Sequence, residues 1–236
     1  MVTEMARIST SEMVRVELEF LRGLPDACFL KSIPDRICAE VLSSRGSDAS
    51  VFLSPNMQSA LLNGATRMPE MWDAERMLLA EQQQAFVEEE TAIRKGVLDS
   101  VGGQENLAGK IKDWFADPVK VTADAARAFM RRNHREFVLG EDENEWPQPE
   151  SLPTVWGMSA YRAARTYLLN RDGRRIDAND FQDWGHYAAA MHADLLVTSD
   201  AKFRAVVAFC PPPKPRTVSF EDWVAEISGP DAPRTS

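Results

Sequence analysis

Residues 179–203, NDFQDWGHYAAAMHADLLVTSDAKF, set Asp180 and Asp183 at the start of a helix-like run and Asp200 just after the short apolar run LLVT. Phe181, Trp184, Ala188 and Met191 have the spacing of a helix packed on one side, with Asn179 or Asp180 as its cap. A helix of about twelve residues climbs ~18 Å and a strand of about five returns ~16 Å. If the strand runs back antiparallel to the helix, Asp183 and Asp200 meet at one edge. Two carboxylates about 4 Å apart repel by roughly 4 kcal/mol at an effective dielectric near 20, so they need a proton or a cation between them. An all-oxygen donor set favours Mg²⁺ or Mn²⁺ over zinc, and such ions assist phosphodiester hydrolysis. A plainer reading stands beside this one. Asp180 and Asp183 can complement a helix dipole, and Asp200 can cap the next helix at Ala201.

Other groups could serve the same site. His186, one turn after Asp183, shares its face and can contact a phosphate or simply bond a neighbouring acid. Arg162, Arg165, Arg171, Arg174 and Arg175 form a local basic patch against one acid, Asp172, and could guide a polynucleotide backbone or merely face solvent. His134 and His192 have no partner pattern, and the cluster RRNHR at 131–135 is diluted by Glu136.

The run Asp180, Asp183, His186, Asp194, Val197, Thr198, Asp200, Phe203 resembles the last catalytic helix and strand of the PIN-domain nucleases, over roughly residues 176–225. The resemblance implies Asp183 and Asp200 as metal ligands for Mg²⁺ or Mn²⁺, Asp180 as an outer catalytic member, and Thr198 as a hydroxyl near the site. It also implies Glu40 as the acidic ligand from the amino-terminal half, single-stranded RNA as substrate, and metal-dependent endoribonuclease activity. His186, Arg171, Arg174 and Arg175 become substrate contacts. Toxin members of the family pair with small antitoxins, so an antitoxin or a second copy of the chain is the implied partner. One feature departs from the family pattern. PIN domains open with an apolar strand ending in Asp, Met1–Thr10 offers none, and Asp26 precedes an apolar run instead of following it. The expectation is either a true start upstream or a lost strand, in which case the chain is an inactive PIN-like binding or scaffold protein.

The elements needed to position these groups follow an α/β rhythm. A helix from Ser11 to Leu21 stops at Gly23, ACFL at 27–30 reads as a strand, and Pro34 opens a helix carrying Ile33, Ile37, Glu40 and Val41. Long helix formers fill 69–101, and further helices are expected at 104–115, closed by Asp117-Pro118, and at 122–138, opened by Thr122. Their Trp and Phe residues read as core. GEDENEWPQPESLP at 140–153 reads as an acidic loop, followed by a helix from about Gly157 to Asn170 and the turn RDGRR. After Asp200 come a helix, the break CPPPKP, the strand RTVSF and the helix FEDWVAEI. The expected fold is a three-layer α/β domain, a parallel sheet flanked by helices. Its core is 1–55 and 151–228, a helical insertion spans 56–150, and the tail 229–236 is disordered.

Composition bounds the rest. The 236 residues carry 27 Lys and Arg against 36 Asp and Glu, a net charge of −9, so any polyanion must be held by a local patch or a metal. Cys28, Cys38 and Cys210 have neither disulfide nor zinc spacing. With no apolar run near 18 residues and no leader-like start, the expectation is a cytoplasmic protein with no membrane association.

Overall fold

The computed structural model describes residues 30–59, 72–132, 146–177 and 179–228, with the side chains of 72–79 and Phe181 excepted. The expected helix at 11–21, most of the strand at 27–30, the tail, Cys28, His134 and residues 140–145 of the acidic loop lie outside these residues. The described helices include α1 (Ile33–Ser43), α2 (Trp72–Ser100), α3 (Gln104–Phe115), α4 (Pro118–Arg132), α5 (Pro153–Arg171), α6 (Asn179–Ala190), α7 (Ala201–Phe209) and α8 (Phe220–Ser228). Two strands join them, β1 (Leu195–Val197) and β2 (Arg216–Val218).

The three-layer parallel sheet is not found. The described chain is mostly helical, and its one sheet has two parallel strands, Leu195 opposite Arg216 and Val197 opposite Val218, linked through α7. Of the segment at 27–30 only Leu30 is described, and it forms an isolated antiparallel bridge with Phe52. The physical reason lies in the strands. A sheet covered on both faces needs near-continuous apolar strands that become fully buried. Here β1 is half-buried along its length and β2 begins exposed at Arg216.

A helix takes the place of the sheet at the centre. α5 packs against α1, α3, α4, α6 and α7. Its sequence suits that position, because Trp156 and Tyr161 supply bulk while Gly157, Ala160, Ala163 and Ala164 let neighbours approach from several sides. At Gly157 the approach is so close that a Cβ would stand 2.3 Å from Met191 Cγ. One apolar cluster joins Val121 of α4, Trp156 and Tyr161 of α5, Tyr187 of α6 and Phe203 and Val207 of α7. A second joins Ile37 and Val41 of α1, Ala126 and Met130 of α4, and Leu152 and Val155. Leu107 and Ile111 of α3 close on Ala163. Helices from the expected insertion therefore share clusters with α1 and α5. Full burial of side chains of this size contributes roughly 1.5–3 kcal/mol each, and these contacts fix the bundle.

Most helix positions match the sequence pattern, with local differences. α4 starts at Pro118, because Asp117 Oδ1 accepts the Lys120 N–H at 3.0 Å and Pro sits well at a first helical position. Thr122 instead donates its hydroxyl to Pro118 O at 2.7 Å, inside the helix. Of the expected aromatic core residues in the middle helices, Phe86 is buried and Phe115 half-buried, while Trp114 is exposed.

Candidate functional site

Helix α6 begins with a reciprocal cap that sets its acidic residues. Asp177 Oδ1 accepts the N–H groups of Asn179 at 2.8 Å and Asp180 at 3.3 Å, and Asp180 Oδ2 accepts the Asp177 N–H at 2.7 Å. Asp177 is thus the cap, not Asn179 or Asp180. Asp180, 9% exposed, also forms a buried ion pair with Arg165 of α5. Arg165 in turn lies over the Phe86 ring, 5.9 Å from its centroid. These contacts commit Asp180 to structure.

One turn further on, Asp183 is half-buried and accepts no hydrogen bond among the described residues. Burial, with Asp200 and then Asp180 nearby, pushes its carboxyl up to about 6, against the opposing pull of His186 and Arg165. Desolvation, and after it the Asp183 charge, raises the buried Tyr161 phenol well above its ordinary range, against the opposing pull of Arg165. Asp200, exposed at the end of β1, caps α7: its Oδ1 accepts the N–H groups of Lys202 at 2.7 Å and Phe203 at 2.9 Å. Its own N–H donates to Thr198 Oγ1 at 3.2 Å, so Thr198 shapes the turn carrying Asp200. The plainer reading of Asp200 as a helix cap therefore holds for Oδ1, while Oδ2 accepts no hydrogen bond among the described residues.

Asp180, Asp183 and Asp200 line one cleft of about 340 Å³, with Tyr161 and Arg165 in its wall and Arg171, Asp172, Arg174 and Lys202 around it. Arg171 is held by Asp172 through Nε–Oδ1 at 2.7 Å and Nη2–Oδ2 at 3.3 Å, which cancels much of its charge towards a ligand. Arg174 makes no salt bridge among the described residues, and Arg175 is exposed outside the cleft wall. His186 is exposed on the turn after Asp183. Arg162 faces elsewhere, paired with Glu90 of α2 and lying over Trp184.

Glu40 is not among these groups. It is 3% exposed at the opposite end of α5, where Oε1 accepts the Thr154 N–H at 2.9 Å and lies 3.1 Å from His192 Nε2. His192 Nε2 is also 2.8 Å from Thr154 Oγ1. About 16 Å of helix rise separates Thr154 from Arg165. Glu40 caps the central helix and pins the chain after α6 to α1. Sequence reasoning gave His192 no partner, because neither Glu40 nor Thr154 is near it in the chain. The Thr-Val-Trp stretch following Pro153 is a helix-start signal that could have suggested a buried acid at that end.

The donor set can be weighed against the divalent ion the resemblance implies. Among the described residues no three carboxylate, imidazole or thiol groups stand close enough to enclose a metal ion. Mg²⁺ commonly takes only one or two protein carboxylates and completes its shell with water and substrate phosphate. Asp183, with no donor among the described residues, and Asp200, whose Oδ2 accepts no hydrogen bond among them, fit such an open site; Asp180 fits as a support. Among the described residues no helix is long and apolar enough to cross a membrane. In comparison with known proteins, the chain matches no family model, no curated protein and no solved structure.

Proposed function

We propose that the cleft between α5, α6 and α7 binds a divalent cation and hydrolyses phosphodiester bonds of single-stranded RNA, as an endoribonuclease of PIN-like chemistry. The observation that carries the reading is Asp183: a half-buried carboxylate that accepts no hydrogen bond among the described residues, lining with Asp180 and Asp200 a cleft ringed by Arg174 and Lys202. Retaining an ionised acid there at neutral pH is unfavourable without a cation. A bound Mg²⁺ or Mn²⁺ supplies Lewis acidity towards the phosphate and lowers the pKa of water. Asp183 and Asp200 hold the ion. Arg165 fixes Asp180 behind them and offsets much of its charge, so that Asp200 raises the Asp183 carboxyl more than Asp180 does. Arg174 and Lys202 draw a phosphate backbone to the rim of a chain whose net charge of −9 repels it elsewhere.

A second reading, a PIN-like binding protein without catalysis, is favoured by the commitment of Glu40 to the far end of α5 and of Asp180 to Arg165. Asp200→Asn separates the two. Asn caps a helix about as well as Asp, so this variant keeps the start of α7 while losing one carboxylate. Calorimetric titration with Mn²⁺ and cleavage of a labelled single-stranded RNA are the readouts. Metal binding and metal-dependent cleavage, both lost in Asp200→Asn, support the enzyme; metal-free RNA binding without cleavage supports the binding protein. A partner protein, whether an antitoxin or a second copy, belongs to either reading.

A further inference from the structure

The long helix α2 and helix α3 reach the rim of this cleft through three hydrogen bonds. Arg94 of α2 donates from Nε to Asn170 Oδ1 and from Nη1 to Arg174 O, both at 2.8 Å. Gln104 of α3 donates from Nε2 to Asn170 O at 2.6 Å. Asn170 is buried at the end of α5, where its Nδ2 also donates to Thr166 O at 2.8 Å. Beyond it the chain reverses at Gly173, whose φ of 62° suits glycine, and the Arg174 N–H returns to Leu169 O at 2.8 Å. The RDGRR turn would otherwise be a short exposed excursion. Here one of its carbonyls is gripped from a different helix, and the gripped residue is Arg174, a rim cation that makes no salt bridge among the described residues.

The geometry points to Arg94 as a positioning residue: by clamping the Arg174 carbonyl and Asn170, it holds the Arg174 guanidinium over the acidic cleft to receive a polyanionic strand. This inference rests on the reading of the cleft as a phosphodiester-binding site, and it gives the helices at 72–115 a task at that site. Arg94 is not among the residues that line the cleft, so it is not placed to touch a strand held there by Arg174 and Lys202. Its effect passes through Arg174 alone. Such an effect is conditional: it vanishes once Arg174 has lost its side chain.

A double-mutant cycle tests this, read by fluorescence anisotropy of a fluorescein-labelled single-stranded RNA with the full chain in EDTA, so that metal binding and cleavage do not contribute. Arg174→Ala is expected to weaken binding about fivefold to tenfold and to flatten the salt dependence by roughly 0.7 in slope, the value of one single-strand phosphate contact. Arg94→Ala is expected to give a similar loss and the same flattening, and less than a twofold further loss in the Arg174→Ala background. Arg94→Lys, which keeps one donor for the carbonyl, recovers most of the affinity and guards against a folding defect in the alanine variant. A purely structural role for Arg94 would lower the bound fraction without changing the salt slope. Additive losses, or an unchanged slope, overturn the clamp while leaving the cleft's polyanion role intact. RNA binding that does not weaken in Arg174→Ala, or is absent in the wild type, overturns both. The expected cycle without Mn²⁺-dependent cleavage removes hydrolysis and leaves the clamp.

Discussion

Replacing Asp183 with Asn should stabilise the protein at neutral pH and do nothing for it in acid. In the fold this carboxyl is pushed up to about 6 from an ordinary 3.8, first by burial and then by Asp200 and Asp180. A raised acid binds its proton more tightly in the native than in the unfolded state. The unfavourable charge is therefore fully present above pH 6, fades between 6 and 3.8, and is absent below. At about 1.4 kcal/mol per unit the shift corresponds to roughly 3 kcal/mol, and solvent at this half-buried position reduces it to on the order of 1–2 kcal/mol. Asn has the same shape and no charge. Urea denaturation followed by circular dichroism, with EDTA present, should show Asp183→Asn about 1–2 kcal/mol more stable than wild type at pH 7.5 and equal to it at pH 3.5. For a chain of this length that is roughly 3–6 °C in Tm. Comparing variant with wild type at each pH cancels the other acids. Saturating Mn²⁺ should reverse the order at pH 7.5, because it stabilises the wild type alone by about 2.7 kcal/mol at a hundred times Kd, more than the gap itself. A variant that is less stable at pH 7.5, or equally shifted at both pH values, would refute the account of Asp183 as a frustrated acid awaiting a cation.

Because the ion needs Asp183 ionised, Mn²⁺ affinity measured by calorimetry should fall about tenfold per pH unit below pH 6. Arg165→Met leaves Asp180 charged, buried and without its guanidinium, and should cost roughly 3 kcal/mol in denaturant unfolding, far more than a surface pair would. Glu40→Gln should lower stability by about 1.5–3 kcal/mol through the weakened cap on α5, yet leave Mn²⁺ affinity within twofold; a lost metal site would return Glu40 to the cleft. Gly157→Ala, despite the better helix propensity of alanine, should destabilise by about 1–2 kcal/mol, since its Cβ would overlap the Met191 side chain.

The late part of the chain was legible because its signals are local. Asn179–Ala190, Leu195–Val197, Ala201–Phe209, Arg216–Val218 and Phe220–Ser228 follow from capping residues, apolar spacing and the proline break. The meeting of Asp183 and Asp200 in one cleft was also accessible, since a helix and a short strand of known rise bring their ends together. The sheet was not. An α/β order of elements was extended from short apolar runs to a whole parallel sheet, but strand pairing depends on which faces become covered, and α5 took the central place. Glu40 illustrates the same limit. Its helix position was foreseeable, yet whether its carboxylate turned to the cleft or to the amino-terminal end of α5 depended on how α1 packs.

Sequence by itself determined where the helices run, which acids cap or follow them, and that any affinity for a polyanion had to be local in a chain of net charge −9. Tertiary structure alone decided that Asp180 is tied to Arg165, that Asp183 has no donor among the described residues, that Glu40 meets His192, and that Arg94 reaches Arg174. The difference is one of range. Caps and periodicity are set by neighbours along the backbone, whereas burial and charge pairing depend on groups brought together from distant segments, and only packing specifies those.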